Sequence, residues 1–250
     1  MANAFFWYDV MTPDTAAAKA FYADVVGWET QPQGPDYTVL SVDGMGVAGL
    51  MGIPDDAKGM PPCWMGYIHV EDVAAKIAEI EKEGGRLLKG PITIEGIITF
   101  AVIADPQGAG FLIAKPVPEQ PVERPARNAP GTVGWHELYA NDWERVWPFY
   151  EKLFGWSKVH TVDMGPRGTY QLFSTGGSDA AGGMMTKPPE VPVAYWSFYF
   201  VVPSIGVAEK KIMAGGGQIL VPPMQVPGGG WILQARDPQG AVFALTSAQS

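Results

Sequence analysis

The chain has 250 residues, with 17 Lys and Arg against 26 Asp and Glu for a formal net charge of −9, a balance that repels nucleic-acid phosphates and anionic membrane surfaces. One cysteine, Cys63, excludes an internal disulfide and makes a reducing cytoplasm the expected compartment. No apolar run reaches bilayer-spanning length, and the opening MANAFFWYDV lacks the basic start and small-residue cleavage site of a secretory leader.

Residues 5–11 are aromatic and β-prone and run into Thr12-Pro13-Asp14, a strand followed by a helix start with Asp14 as cap. Ala17, Phe21 and Val25 then recur at the step of a buried helical face, and Gly27 closes the helix. Residues 37–53 read as two short strands joined at Asp43-Gly44, a hairpin dipeptide. Cys63 follows two prolines with no His beside it, which suits a thiol on a loop or strand edge better than a nucleophile. Trp64 to Val70 is the next strand, Asp72 the next cap, Val73, Ile77 and Ile80 the buried line of the second helix, and Gly84-Gly85 its stop. A strand near 97–104 enters Asp105-Pro-Gln-Gly, a type I turn sequence, and a last strand covers 109–114. Residues 116–131, with five prolines and no apolar periodicity, read as a stiff linker.

The chain then repeats itself. Gly134 to Trp156 rewrites Phe6 to Trp28 at an offset of 128: Trp135 answers Trp7, Phe149-Tyr150 answers Phe21-Tyr22, and Gly155-Trp156 answers Gly27-Trp28. A second block repeats at an offset of 132, pairing Trp64 with Trp196, Gly84-Gly85 with Gly216-Gly217, and Asp105-Pro-Gln-Gly-Ala with Asp237-Pro-Gln-Gly-Ala. The difference places four extra residues between Trp156 and Trp196, where loops absorb insertions. The second copy is expected to carry a helix from Asn141-Asp142 with Val146, Phe149, Tyr150 and Leu153 inward, and a kink or loosened first turns at Pro148. Strands at 196–202, 231–236 and 241–246 follow, with Ser204 as cap and Gly215 to Gly217 as stop. Two modules result, 1–115 and 132–250, each β-α-β-β-β twice over.

A strand, a capped helix with Phe-Tyr near its end, Gly-Trp, a second helix, Gly-Gly, a strand and Asp-Pro-x-Gly, in that order in both halves, resembles the vicinal oxygen chelate superfamily of glyoxalase I, bleomycin-resistance proteins and extradiol dioxygenases. The resemblance implies an α+β fold of tandem glyoxalase-like modules, each of paired βαβββ units forming a half-open barrel with a ligand inside the curl. In metal-using relatives the ligands project from the first strand, from the strand before the second helix and from the last strand. The matching positions here are Trp7 and Trp135, Met65 and Ser197, Leu112 and Ala244, none of them a good donor. The hairpin strand, Gly-Val-Ala-Gly-Leu-Met in one copy and Ala-Ala-Gly-Gly-Met-Met in the other, offers none either. The expectation is therefore no cofactor, with a divalent metal left open but unsupported by the usual ligand positions.

Strand alternation puts Asp9 and Met11 on the face of Trp7, and Glu137 and Tyr139 on the face of Trp135. The middle strands add Met65, Tyr67 and His69 in one copy and Ser197, Tyr199 and Val201 in the other. Each cup is thus expected to be aromatic with a single carboxylate, suited to a small, largely apolar molecule. Asp9 and Glu137 are candidates for a general base or acceptor, its pKa raised by desolvation, or for structural carboxylates bonded to Tyr, Trp or backbone N–H. His69 is open between a ligand or acid and a satisfied strand-edge histidine. His136 faces away from Glu137 and belongs at an interface; His160 lies in the variable loop region without a role. Trp28, Trp156 and Met51, Met184 and Met185 read as packing residues, and the glycines at 228–230 as a loop over the second cup.

Three functions fit. The first is metal-free binding of, or action on, a small apolar or aromatic metabolite. The alternatives are a metal-dependent lyase of glyoxalase type or a ring-cleaving dioxygenase, and drug sequestration. The expected partner is a small molecule, neither nucleic acid nor membrane, with the chain a monomer of pseudo-dimeric halves or a homodimer.

Overall fold

The computed structural model describes residues 3–117 and 124–250; residues 118–123 of the expected linker lie outside the described residues. The first copy contains β1 (Phe5–Thr12), α1 (Thr15–Val25), β2 (Glu29–Pro32), β3 (Tyr37–Val42), β4 (Met45–Gly52), β5 (Cys63–His69), α2 (Val73–Lys82), β6 (Arg86–Ile94), β7 (Ile98–Ala104) and β8 (Gly110–Pro116). The second contains β9 (Val133–Ala140), α3 (Trp143–Phe154), β10 (Ser157–Asp163), β11 (Thr169–Ser174), β12 (Gly182–Thr186), β13 (Tyr195–Val201), α4 (Ile205–Ala214), β14 (Gln218–Gln225), β15 (Trp231–Arg236) and β16 (Val242–Ser247). Among the described residues this is an α+β arrangement of sixteen strands in two eight-stranded sheets, each copy being β-α-β-β-β twice.

The helix ends form as the sequence dictates. Asp14, Asp72, Asp142 and Ser204 each sit in extended backbone and accept from the backbone N–H three residues on, satisfying a donor that the first helical turn leaves orphaned. Gly155 ends α3 in the left-handed region, which costs a glycine nothing. Asp43 and Gly44, both at positive φ, turn β3 into β4.

Three expectations are corrected. α3 continues through Pro148 from Trp143 to Phe154, and its buried face of Trp143, Val146, Trp147, Phe149, Tyr150, Leu153 and Phe154 holds it in place. His160 lies on β10, not in a loop, with its carbonyl accepting from Gln171 Nε2 at 3.1 Å. The end of the expected linker is tied down: Gly131 N donates to Val201 O at 2.8 Å and Gly131 O accepts from the indole of Trp28 at 2.8 Å. Polar β2, and β6 and β14 with Pro91, Pro222 and Pro223, lack clean alternation. Each is an outer strand of its quartet, where a missing N–H is tolerated.

The chain divides into two compact units that do not follow the copies. One is built from residues 3–6, 65–117 and 136–196, the other from residues 7–64, 124–135 and 197–250. In the first unit the strands run β5-β8-β7-β6 and β10-β11-β12-β9, and α2 packs on α3. In the second they run β2-β3-β4-β1 and β13-β16-β15-β14, and α1 packs on α4.

At the centre of each unit lies the same buried chain of hydrogen bonds. In the first, Trp196 Nε1 donates to Tyr150 Oη at 3.0 Å and the Tyr150 hydroxyl donates to Asp105 Oδ2 at 3.0 Å. Asp105 Oδ1 accepts from the N–H groups of Gln107 and Ala109. In the second, Trp64 Nε1 donates to Tyr22 Oη at 2.9 Å, Tyr22 donates to Asp237 Oδ2 at 2.9 Å, and Asp237 Oδ1 accepts from Gln239, Gly240 and Ala241. Both phenols are fully buried. Burial first, then the neighbouring aspartate, holds each well above the ordinary phenol range, so each stays a donor. Burial also raises Asp105, against the opposing pull of its N–H partners and Tyr150.

Removing one link leaves a buried indole N–H and a buried carboxylate oxygen each short of a partner. Tyr22→Phe and Tyr150→Phe are each expected to cost about 1–3 kcal/mol, read by urea denaturation; an unchanged midpoint would show the chain to be dispensable.

Candidate functional site

In the second unit, β1 and β4 run parallel with Asp9 opposite Gly49 and Met11 opposite Met51, while antiparallel β3 sets Val39 opposite Gly49 and Tyr37 opposite Met51. This register gathers Trp7, Asp9 and Tyr37 on one face. The Tyr37 hydroxyl donates to Asp9 Oδ1 at 2.7 Å, and the Trp7 indole N–H reaches both Asp9 Oδ1 and Tyr37 Oη at 2.9 Å. Asp9 is 3% exposed, a burial that a carboxylate tolerates only with donors supplied. Burial, followed by the charge of Asp9, drives the Tyr37 phenol far above its usual range, with the Trp7 hydrogen bond pulling the other way. Gly49 is the condition for this triangle, since a methyl there would strike Tyr37 Oη and Asp9 Oδ1.

The first unit repeats the pattern. Gly183 of β12 lies opposite Glu137 of β9 and opposite Leu172 of β11, which puts Tyr170 two residues before the glycine's partner, as Tyr37 is. A methyl on Gly183 would meet the Tyr170 ring. Glu137, 7% exposed, raises the pKa of Tyr195 alongside the larger effect of burial. Tyr195 stacks on Tyr139 with ring centres 5.0 Å apart and planes 4° from parallel.

The remaining sequence candidates fall into two further sets. In the first unit Tyr67 and His69 of β5 both meet the ring of Phe6 edge-on at 6.4 and 5.9 Å, and Tyr67 also meets Phe100 at 6.2 Å. Met65 stands half-buried on the same strand. In the second unit Ser197 and Tyr199 of β13 are joined by Gln234, whose Nε2 donates to Tyr199 Oη at 2.7 Å. Trp135 is half-buried on β9. His136 stacks on Phe5 at 4.9 Å, and its Nδ1 lies 2.8 Å from Ala181 O. Trp28 and Trp156 are buried packing residues whose indoles also bond the carbonyls of Gly131 and Asn3. Tyr37, Tyr170, Tyr195 and Gln234 were missed from the sequence. Tyr37 and Tyr170 lie 133 residues apart, an interval that neither repeat offset matches, so the repeat did not pair them.

A shallow groove of about 390 Å³ between α1 and α4, lined by Ala17, Ala20, Phe21, Asp24, Lys211, Gly215, Pro238 and Gln239, holds none of these candidates.

A family model described as "Glyoxalase/Bleomycin resistance protein/Dioxygenase superfamily" matches residues 4–113 and 132–245. The chain belongs to this superfamily. The Mycobacterium tuberculosis protein CFP32, named a candidate glyoxylase, is 30% identical over 96% of this chain and 92% of its own. The Streptomyces peucetius anthracycline biosynthesis protein DnrV is 28% identical over 96% and 91%. Among solved structures, the Mn(II)-bound glyoxalase of Novosphingobium aromaticivorans superposes with a TM-score of 0.70 at 17% identity, covering 100% of this chain and 83% of that one. A homoprotocatechuate 2,3-dioxygenase of Brevibacterium fuscum gives 0.67 at 14%, covering 97% and 79%. These superpositions establish the fold.

The superfamily includes metal-bound members, so the donor set of this chain was compared with that chemistry. Among the described residues no three His, Cys, Asp or Glu side chains stand together to hold an ion. Asp9 has indole and phenol for neighbours in its own unit, which donate hydrogen bonds and do not supply the imidazoles and carboxylates of a divalent site. The described residues offer no three-donor set that fits a resident metal.

Two outcomes follow. Gly49→Ala is expected to push Tyr37 off Asp9, costing about 1–3 kcal/mol and shifting tryptophan fluorescence through Trp7. Gly52→Ala, with open space around it, is the control expected to be near neutral. Burial pushes the half-buried Cys63 thiol up to about 11, so native protein is expected to resist iodoacetamide at pH 8 and to react as pH approaches 11, whereas unfolded protein reacts at pH 9.

Proposed function

We propose that this member of the superfamily binds a small, largely apolar or aromatic metabolite against the faces of β1 and β9, without a metal. Trp7, Asp9, Met11, Met65, Tyr67 and His69 serve the first copy, and Trp135, Glu137, Tyr139, Ser197 and Tyr199 the second. The observation that carries the reading is the Tyr-Gly-carboxylate arrangement, built on Tyr37, Gly49 and Asp9 and again on Tyr170, Gly183 and Glu137. In both places a glycine opposite a buried carboxylate leaves room for a tyrosine that a methyl group would strike. The aromatic surface supplies dispersion and area, and the carboxylate a single acceptor that fixes orientation. Asp9 and Glu137 are the groups that would accept a proton or hydrogen bond from the ligand.

In this reading the modules are 1–115 and 132–250 joined by 116–131. The covalent duplication stands where a homodimer would, and the protein works in the cytoplasm. The names of CFP32 and DnrV favour a second reading, an enzyme of small-molecule metabolism. A lyase or ring-cleaving dioxygenase of metal-dependent type would need a donor set that the described residues lack. Sequestration of a drug is a special case of the first reading.

The test combines elemental analysis with titration of aromatic probes followed by tryptophan fluorescence. The expected result is no stoichiometric divalent metal after purification with metal supplied, and a change in probe affinity for Asp9→Asn and Glu137→Gln with Tm nearly unaltered in Glu137→Gln. A stoichiometric metal, or a loss of several degrees with unchanged binding, would overturn it.

A further inference from the structure

The two copies differ on the face of the strand that precedes the second helix of each. On β13, Trp196, Phe198 and Phe200 alternate with Ser197 and Tyr199. Phe200 packs on Trp28 and Trp64, and Phe198 on Tyr8, so these rings point into the core of their unit and Ser197 and Tyr199 point to the opposite face. Register brings Gln234 of β15 to that face as well, since Tyr199 pairs with Ala244 and Ala244 with Gln234. Helix α4 covers the other face, meeting β14, β15 and β16 through Ile205, Ala208 and Ile212.

Three polar side chains therefore lie together where their own unit provides no helix to shield them, yet Ser197, Tyr199 and Gln234 are 3%, 2% and 9% exposed. Gln234 turns its amide N–H toward Tyr199 Oη. Among the described residues the Ser197 hydroxyl has no hydrogen-bond partner. A buried hydroxyl left unsatisfied destabilises the fold, and such groups persist where a ligand or another function uses them. The offset of 132 that aligns the two blocks places Met65, Tyr67 and Val102 at the corresponding positions of the first copy. There the phenol is kept and both groups beside it are apolar.

We propose that Ser197, with Gln234 and Tyr199, is a polar subsite that makes the second copy select ligands carrying a hydroxyl or carbonyl oxygen, while the first copy selects an apolar ligand. This rests on the binding role proposed for these faces and adds what distinguishes them. The Ser197 hydroxyl gains its missing partner from the ligand oxygen beside the polar pair of Tyr199 and Gln234, and a hydrocarbon of the same shape leaves Ser197 unpaired. Discrimination therefore comes mostly from the cost of an unmade bond.

The experiment measures calorimetric affinities of phenol and toluene for the full chain, for Ser197→Ala and Gln234→Val, and for the reciprocal Met65→Ser. At the second copy's site the wild type is expected to prefer phenol by roughly three- to tenfold, the worth of one net hydrogen bond. Ser197→Ala and Gln234→Val should each shrink that ratio, and Met65→Ser should turn the first copy's preference toward phenol. Ser197→Ala should also raise the Tm of the free protein, because it removes the orphaned hydroxyl. Binding of both probes with a ratio unmoved by Ser197→Ala and Gln234→Val would overturn the subsite and leave the binding role intact. No binding of either probe would overturn both.

Discussion

The hydrogen-bond chain from indole to phenol to aspartate, present once in each unit, is the constraint on which the rest of the structure depends. Each chain draws its tyrosine from the first helix of one copy and its aspartate from the Asp-Pro-Gln-Gly turn of the other: Tyr22 with Asp237, Tyr150 with Asp105. The aspartate does two things at once. One oxygen closes its own turn by accepting backbone N–H groups, and the other accepts the phenol. In the core this satisfies the indoles of Trp64 and Trp196 and the phenols of Tyr22 and Tyr150, which could not be buried at comparable cost with their N–H and O–H groups unpaired. The same chain explains why the compact units cut across the sequence copies. A module is a unit of descent in this protein, and the packing unit is assembled from parts of both.

With polarity satisfied in the core by that chain, the opposite faces of the strands are left to carry chemistry. Asp9 and Glu137 are buried there for a different reason, since neither closes a turn. Asp9 is held by a tryptophan and a tyrosine that are themselves placed by Gly49, a residue whose only contribution is to occupy no space. Such a carboxylate has its geometry fixed by the protein's own donors. It also has neighbours unlike those of a metal-binding carboxylate. The superfamily fold is present, and among the described residues no three His, Cys, Asp or Glu side chains stand together.

The elements were largely legible in the chain because their signals are local. Four caps followed from Asp or Ser before an apolar period, the hairpin from Asp43-Gly44, and the duplication from fixed offsets between aromatic and glycine pairs. Outer strands were harder to read, because β6 and β14 carry prolines that only an edge position excuses. Pro148 misled in the opposite direction, since seven buried side chains on α3 outweigh one lost helical hydrogen bond. In the candidate site the alternation rule found Trp7 and Asp9 but not Tyr37. That residue reaches Asp9 from two strands away, across a glycine whose role is visible only when the strands are paired.

What the sequence alone determined was therefore the repeat, the order of strands and helices, and the side chains that share a strand face. These depend on separations of a few residues or on identity between two stretches, and both can be read along a line. Tertiary structure alone decided that Tyr22 and Tyr150 bond to aspartates 215 and 45 residues away, that Gly49 makes room for Tyr37 over Asp9, and that Ser197 is buried without a partner. Each is a matter of which atoms lie within 3 Å of one another after long loops have closed, and no local periodicity encodes that.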